Sequence, residues 1–175
     1  MSEIYEPLSK SFVTNTFPKV IVQERPKELA SDHSSTEDVI HYFIDNNDCD
    51  HIILLQATSP LTRSHQIISA LDLYFKNDCR PLVSGTRQHC FLWNNDGNPI
   101  NYRPTNRPRR QDWEGTFVEN GAIYIFKKQE FLDFKTRCKE PCTLFEMDYL
   151  TSIELDSKSD WNLLEYLVKT KSLNN

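Results

Sequence analysis

The stretch from Ile52 to Arg63 reads IILLQATSPLTR, an unbroken apolar run that stops abruptly at a polar cluster. A run of this kind is a strand covered on both faces, as in the parallel sheets of α/β proteins. The cluster that follows, Gln56, Thr58, Ser59, Pro60 and Arg63, falls at the carboxyl end of that strand, where an open α/β sheet holds its ligand.

Working outward, strand and helix signals alternate. Lys19 to Gln23, KVIVQ, is β-branched and predicts a brief strand after a short helical or irregular lead-in over 1–17. Hydroxyl and acidic residues between Asp32 and Asp38 supply caps for a helix over 36–46, with Val39, Ile40 and Phe43 at apolar spacing. The strand at 51–56 leads to a second amphipathic helix over 64–77, marked by Ile67, Ile68, Leu71 and Phe75. Further strands are expected at 80–85 and 117–127. NNDGNP within 93–99 marks the turn of a hairpin excursion spanning about 86–116. A short strand over 152–155 and a helix over 159–168 close the pattern, with Trp161, Leu164 and Val168 on one helical face. The alternation predicts one α/β domain over 1–175 with a mainly parallel sheet and helices on both sides.

With 175 residues, 38% hydrophobic and 26% charged, the chain has the composition of a globular domain. A net charge of −5 gives no general attraction to phosphate backbones, so nucleic acid is not expected as a partner. No membrane span or secretory leader is legible. Five cysteines without a CxxC pair argue against a disulfide framework or zinc site and for a reducing compartment, the cytosol or nucleus. Only four glycines occur, so neither a Rossmann nor a Walker phosphate loop can be assembled.

Four groups could carry chemistry. Gln56, Thr58, Ser59 and Arg63 can hold a ligand by directional hydrogen bonds, or can equally be a turn that caps the next helix. Arg103, Arg107, Arg109, Arg110 and Gln111 form a cationic run suited to a small anion, or else a solvated basic loop. Glu154 and Asp156 are two apart, so on a strand both carboxylates would face one hard cation, although acids on an exposed strand face are common. Arg25, Asp32 and the hydroxyls from Ser34 to Thr36 could grip a nucleotide, or shape a turn and cap a helix. The histidines show no metal-ligand spacing.

Taken together and in order, RPKELASD (25–32), LLQATSPLTR (54–63), RRQ (109–111), ENGAIYIF (119–126) and SIELDSKSDW (152–161) resemble the acylneuraminate cytidylyltransferases. These belong to the sugar nucleotidyltransferases. The resemblance implies a three-layer α/β/α fold and a homodimer made partly by the excursion. It implies transfer of CMP from CTP to a nonulosonic acid with Mg2+ held by Glu154 and Asp156. Carried over by position, Arg25 and Thr36 fall at nucleotide contacts, Gln56 at a sugar contact, and Arg110 at a sugar or phosphate contact. Thr58, Ser59, Gln111 and Asn120 join the substrate-binding set, Tyr124 lies in the sugar pocket, and Arg110 and Asp156 are the catalytic candidates. The family's opening strand and phosphate-cradling loop have no counterpart, so the fold is expected to miss its first βα unit. Glu154 stands where the family has an aspartate. A catalytically impaired remnant that binds sugar acid or nucleotide, or a transferase for another ulosonic acid, are the alternatives.

Overall fold

A computed structural model describes residues 13, 15–31 and 33–170 of the chain. Asp32 and most of the expected lead-in over 1–17 lie outside them. The chain divides into two compact units, 1–46 and 47–175.

In the first unit, residues 19–23 form no strand, contrary to the sequence expectation. Ile21 is 90% exposed, and β-branched side chains specify a strand only where a neighbour covers them. A 3-10 turn, Lys27–Ala30, precedes helix α1, Thr36–Asn46. Ser35 caps it: the Asp38 amide donates to the Ser35 hydroxyl at 3.1 Å, and the Ser35 amide donates back to the Asp38 carboxylate at 3.1 Å. The Ser35 hydroxyl, which donates to the Asp38 carboxylate at 2.7 Å, and then the Ser35 amide hold that carboxyl below its ordinary pKa. Ile40 and Ile44, one turn apart, are the buried positions of α1.

The second unit is built on four strands, β1 (His51–Leu55), β2 (Leu82–Gln88), β3 (Thr116–Lys127) and β4 (Thr143–Glu146), in the order β1-β3-β2-β4. β3 runs antiparallel to both β1 and β2, while β2 and β4 are parallel. The sheet is therefore mixed rather than mainly parallel. β1, β2 and β4 do point the same way, but β3 is inserted between two of them, an arrangement that strand spacing in the sequence does not reveal. β1, expected from its apolar run to be covered on both faces, is instead an edge strand with Ile53 and Leu55 exposed; continuous burial from Ala122 to Phe126 marks β3 as the strand covered on both faces.

Helix α2 (Ser64–Lys76) lays Ala70 and Tyr74, one turn apart, onto Leu82, Ile123, Ile125 and Met147. Phe126, alternating with Ile125 along the strand, instead meets Phe131 of helix α3 (Lys128–Phe134) with ring centroids 5.6 Å apart. α3 and β4 were not legible in the sequence, being short and flanked by mixed residues. The last helix, α4 (Lys158–Lys169), packs Leu164 and Leu167 against Leu61, Ile153 and Leu155. That second cluster fixes the turn after β1 against the segment before α4. Ser157 and Asp160 form the capping box of α4, whereas the expected strand at 152–155 is a 3-10 turn, Leu150–Ser152, followed by irregular backbone.

The excursion between β2 and β3 is present, with the predicted turn closed by the Trp93 to Pro99 bridge. Its interior is aromatic. Phe91 stacks on Trp113 at 5.0 Å and 12°, contacts Tyr102 at 4.4 Å, and carries the Arg107 guanidinium 4.2 Å from its ring.

Replacing Ile125, which is fully buried, by Ala is expected to cost about 2–5 kcal/mol in urea unfolding. Ile53→Ala, at a position 40% exposed, is expected to cost roughly 1 kcal/mol or less. Equal losses at both positions would show that the core is not centred on β3.

Candidate functional site

The carboxyl ends of β1, β2 and β4 meet the amino-terminal half of β3 at one end of the sheet. Leu55 pairs with Ile123, and Gly85 pairs with both Glu119 and Glu146. Immediately after β1 the chain turns: the Ser59 amide donates to Gln56 O at 3.1 Å and the Thr62 amide to Ser59 O at 3.3 Å. Helix α2 starts only at Ser64, so Thr58 and Ser59 do not cap it. Gln56 and Thr58 are half-buried. Ser59 is buried, and among the described residues its hydroxyl has no hydrogen-bond partner.

One backbone bond joins this turn to the acidic segment. The Leu155 amide donates to Thr58 O at 2.8 Å. Ile153 and Leu155 pack toward Leu61, Leu164 and Leu167, which turns the intervening Glu154 away from that cluster. Glu154 comes to rest on β3. A Cβ added to Gly121 would sit 2.5 Å from Glu154 Oε1, and Gly121 has φ +65°. Glycine at 121 thus meets two demands, a left-handed backbone and room for a carboxylate. Partial burial, then the negative charges of Asp156 and Glu119, push the Glu154 pKa up.

Gly121 belongs to an irregularity in β3. Between the pairs Val83 to Tyr124 and Gly85 to Glu119 the register shifts, so β3 carries extra residues there. Ser84 fastens the bulge. Its hydroxyl accepts the Ile123 amide at 2.7 Å and donates to Asn120 Oδ1 at 2.7 Å, while the Asn120 amide group reaches Met147 Sδ at 3.4 Å. Asn120 is therefore a buried structural member beside the site. Tyr124 is only 2% exposed. Its hydroxyl donates to the Glu119 carboxylate, and the Arg137 guanidinium lies 4.5 Å from its ring centroid. Burial first, and then the bond to Glu119, push the phenol pKa up to about 12.

The structure thus gathers Gln56, Thr58, Ser59, Asn120, Glu154 and Asp156 at one sheet end, with Tyr124 behind them. Arg110 and Gln111 are exposed on a 3-10 turn, Arg110–Asp112, of the excursion that enters β3 at the same end. Of the cationic run, Arg109 is paired with Asp112 and Arg107 is stacked on Phe91. Arg63 bonds its amide to the Gln66 side chain at 3.0 Å. Arg25 and Thr36 lie in the first unit, where Arg25 is exposed and Thr36 begins α1; there the Ser34 hydroxyl donates to Glu28 O at 2.8 Å. Sequence reasoning missed Glu119, Arg137 and Ser84. Glu119, at the head of ENGAIYIF, was within reach as an acid standing just ahead of a buried apolar run; the other two become visible only through the bulge and the loop after α3.

Two clefts of about 280 and 410 Å³ open at the far end of the sheet, where Lys127 pairs with His51. They are lined by charges of both signs and by none of the candidate residues.

A hard cation can be met by Glu154 and Asp156, two carboxylates whose mutual repulsion a positive charge would relieve. No group of three or more His, Cys, Asp or Glu that could hold an ion occurs among the described residues. Two carboxylates suit an ion of the magnesium type, which completes its shell with water and phosphate oxygens.

The chain that carries this α/β fold, with a polar turn and an acidic pair at one sheet end, has relatives in sequence. N-acylneuraminate cytidylyltransferase A of Danio rerio is 33% identical over 155 residues, covering 84% of this chain and 36% of its own. The N-acylneuraminate cytidylyltransferase of Streptococcus agalactiae serotype V is 29% identical over 148 residues, covering 81% of this chain and 36% of its own. The Post-translational flagellin modification protein B of Campylobacter coli is 30% identical over 129 residues, covering 71% of this chain and 55% of its own. No family model matches the chain. Over the matched stretch the chain belongs with the N-acylneuraminate cytidylyltransferases, and it spans about a third of the length of the first two relatives.

Because the Glu154 carboxyl is raised in the folded state, the folded protein holds its proton to higher pH than the unfolded chain does. Stability should therefore fall as pH rises through the ordinary glutamate range, and Glu154→Gln should flatten that fall in urea titrations from about pH 4 to 7. Gly121→Ala should destabilise by about 1–2 kcal/mol through its left-handed backbone alone. An unchanged unfolding midpoint would dismiss the bulge geometry.

Proposed function

We propose that the chain is a cytidylyltransferase unit that activates a nonulosonic acid of the sialic type. The anomeric hydroxyl of the acid attacks the α-phosphorus of CTP and the bond to the β-phosphate oxygen breaks. CMP-sugar forms, pyrophosphate leaves, and the hydroxyl proton passes to solvent. The observation that carries the reading is the Thr58 to Leu155 bond, which brings the LLQATSPL turn and the Glu154/Asp156 pair to one sheet end in a chain related over most of its length to enzymes named for this activity.

Reactions of this kind depend on in-line positioning and charge neutralisation. Glu154 and Asp156 would hold Mg2+, which when bound draws charge from the phosphates and the leaving pyrophosphate. Gln56 and Thr58 offer side-chain hydrogen bonds to sugar or nucleotide. Arg110, exposed on the excursion, offers a fork for a carboxylate or phosphate. Arg25 and Thr36 are assigned to the nucleotide.

The finer architecture belongs to the same proposal. The four-stranded mixed sheet would be part of a three-layer α/β/α fold, and the excursion would contribute to a homodimer. Leu92, Trp93 and Ile100 are exposed on it, in keeping with such a contact. Five free cysteines accord with a reducing compartment such as the cytosol. No helix among the described residues is long and apolar enough to cross a membrane.

Titration calorimetry of the chain with CTP and Mg2+ is expected to give micromolar, metal-dependent binding that Asp156→Asn abolishes without changing the unfolding transition. A stable fold that binds neither CTP nor metal would identify a remnant instead. Arg110→Ala should weaken binding of the acidic sugar or triphosphate by about 2 kcal/mol, the size of a charge-assisted pair. Unaltered affinities for both would leave Arg110 as surface.

A further inference from the structure

Tyr124 stands in the position assigned to the sugar pocket, yet it is 2% exposed and its single hydroxyl proton is committed to Glu119. A phenol donates one hydrogen bond. With that donor used, the surface at this point is presented by the exposed Glu119 carboxylate, which the buried phenol anchors from behind. The ring is itself held by Arg137 stacked over it, so the anchor is fixed on both sides.

We propose that Glu119 is a specificity-determining residue that receives the hydroxyl groups of a polyhydroxylated acidic sugar, with Tyr124 as its positioning residue. This rests on the reading of the chain as a sugar-acid cytidylyltransferase. Glu119 pairs across the sheet with Gly85, next to the bulge on which Glu154 rests, so it borders the acidic pair. It is close enough for its charge to bear on the Glu154 carboxyl.

Two consequences follow from the charge. An ionised carboxylate only accepts hydrogen bonds, and it can take two vicinal hydroxyls at once, so a diol is its natural partner. It also repels the sugar's own carboxylate. Glu119 therefore selects one of the two ends of an acidic polyol, the hydroxyl-bearing chain toward itself and the acid group away, in the direction of cations such as those on the excursion.

The test is calorimetry on the full chain, with N-acetylneuraminic acid and CTP–Mg2+ as separate probes, for wild type, Glu119→Ala, Glu119→Gln and Tyr124→Phe. Glu119→Ala is expected to weaken the sugar acid at least tenfold and leave CTP within twofold. Glu119→Gln, which keeps one acceptor oxygen but neither the charge nor the second acceptor, should recover only part of the sugar affinity. Tyr124→Phe should lose severalfold by releasing the carboxylate while preserving the ring. A sugar acid truncated to remove the side-chain diol should bind wild type and Glu119→Ala equally. Sugar affinity indifferent to Glu119, or equal losses for sugar and CTP, would overturn the assignment alone. Wild type that binds neither probe would overturn it together with the enzymatic reading.

Discussion

The hydroxyl of Ser84 holds the site's foundation in place. It accepts from the Ile123 amide and donates to Asn120, so β3 can bulge in the middle of a sheet without leaving those buried groups unsatisfied. The bulge supplies Gly121 with its left-handed backbone, and Gly121 supplies the space that the Glu154 carboxylate occupies. It also separates Glu119 from Tyr124 by five residues while letting their side chains meet. A regular β3 would carry the same residues and build none of this.

A second constraint acts from outside the sheet. Leu61, directly after Pro60, is buried with Leu164 and Leu167, and Ile153 and Leu155 join them. Burial of this cluster, of the order of 2 kcal/mol for each large side chain, presses the turn after β1 against the acidic segment and makes the Thr58 to Leu155 bond a by-product of apolar packing. The polar residues of the candidate site are aligned by leucines that carry no polar side-chain atom. Glu154, being longer than aspartate by one methylene, reaches the bulge from a segment that is not a strand.

Much of this was legible beforehand, and the failures have physical causes. The helical stripes around Ile67 and Leu164 declare themselves by their period and NGAIYIF by its continuous apolar character, whereas IILL announced a strand but not its place at the sheet edge, where Ile53 and Leu55 are exposed. KVIVQ carried the same β-branched signal and formed no strand, since propensity without covering neighbours is insufficient. The strand directions could not be read because an insertion of β3 between β1 and β2 leaves no mark in spacing. Of the site, Gln56, Thr58, Glu154 and Asp156 were legible as a motif, and their convergence follows from the Leu61 cluster. The contact of Glu119 with Tyr124 was hidden, since nothing in the order E-N-G signals that two residues five apart will touch across a bulge. The arginine run looked uniform in sequence, but Arg107 and Arg109 are engaged within the excursion and Arg110 is left at its surface.

The aromatic stack in the excursion gives the molecule a built-in optical reporter. Of three tryptophans, Trp93 and Trp113 sit on this nest, with Trp113 stacked on Phe91 and edge-on to His89 at 5.8 Å. Indole emission will therefore report chiefly on the excursion, with Trp161 of α4 the remaining source, while the sheet core, which holds Tyr74, Tyr124, Phe126 and Phe131, carries no tryptophan. A loosening of that nest would register as a large spectral change in a chain whose sheet is still intact, so optical melting and backbone melting are two separate measurements in this protein.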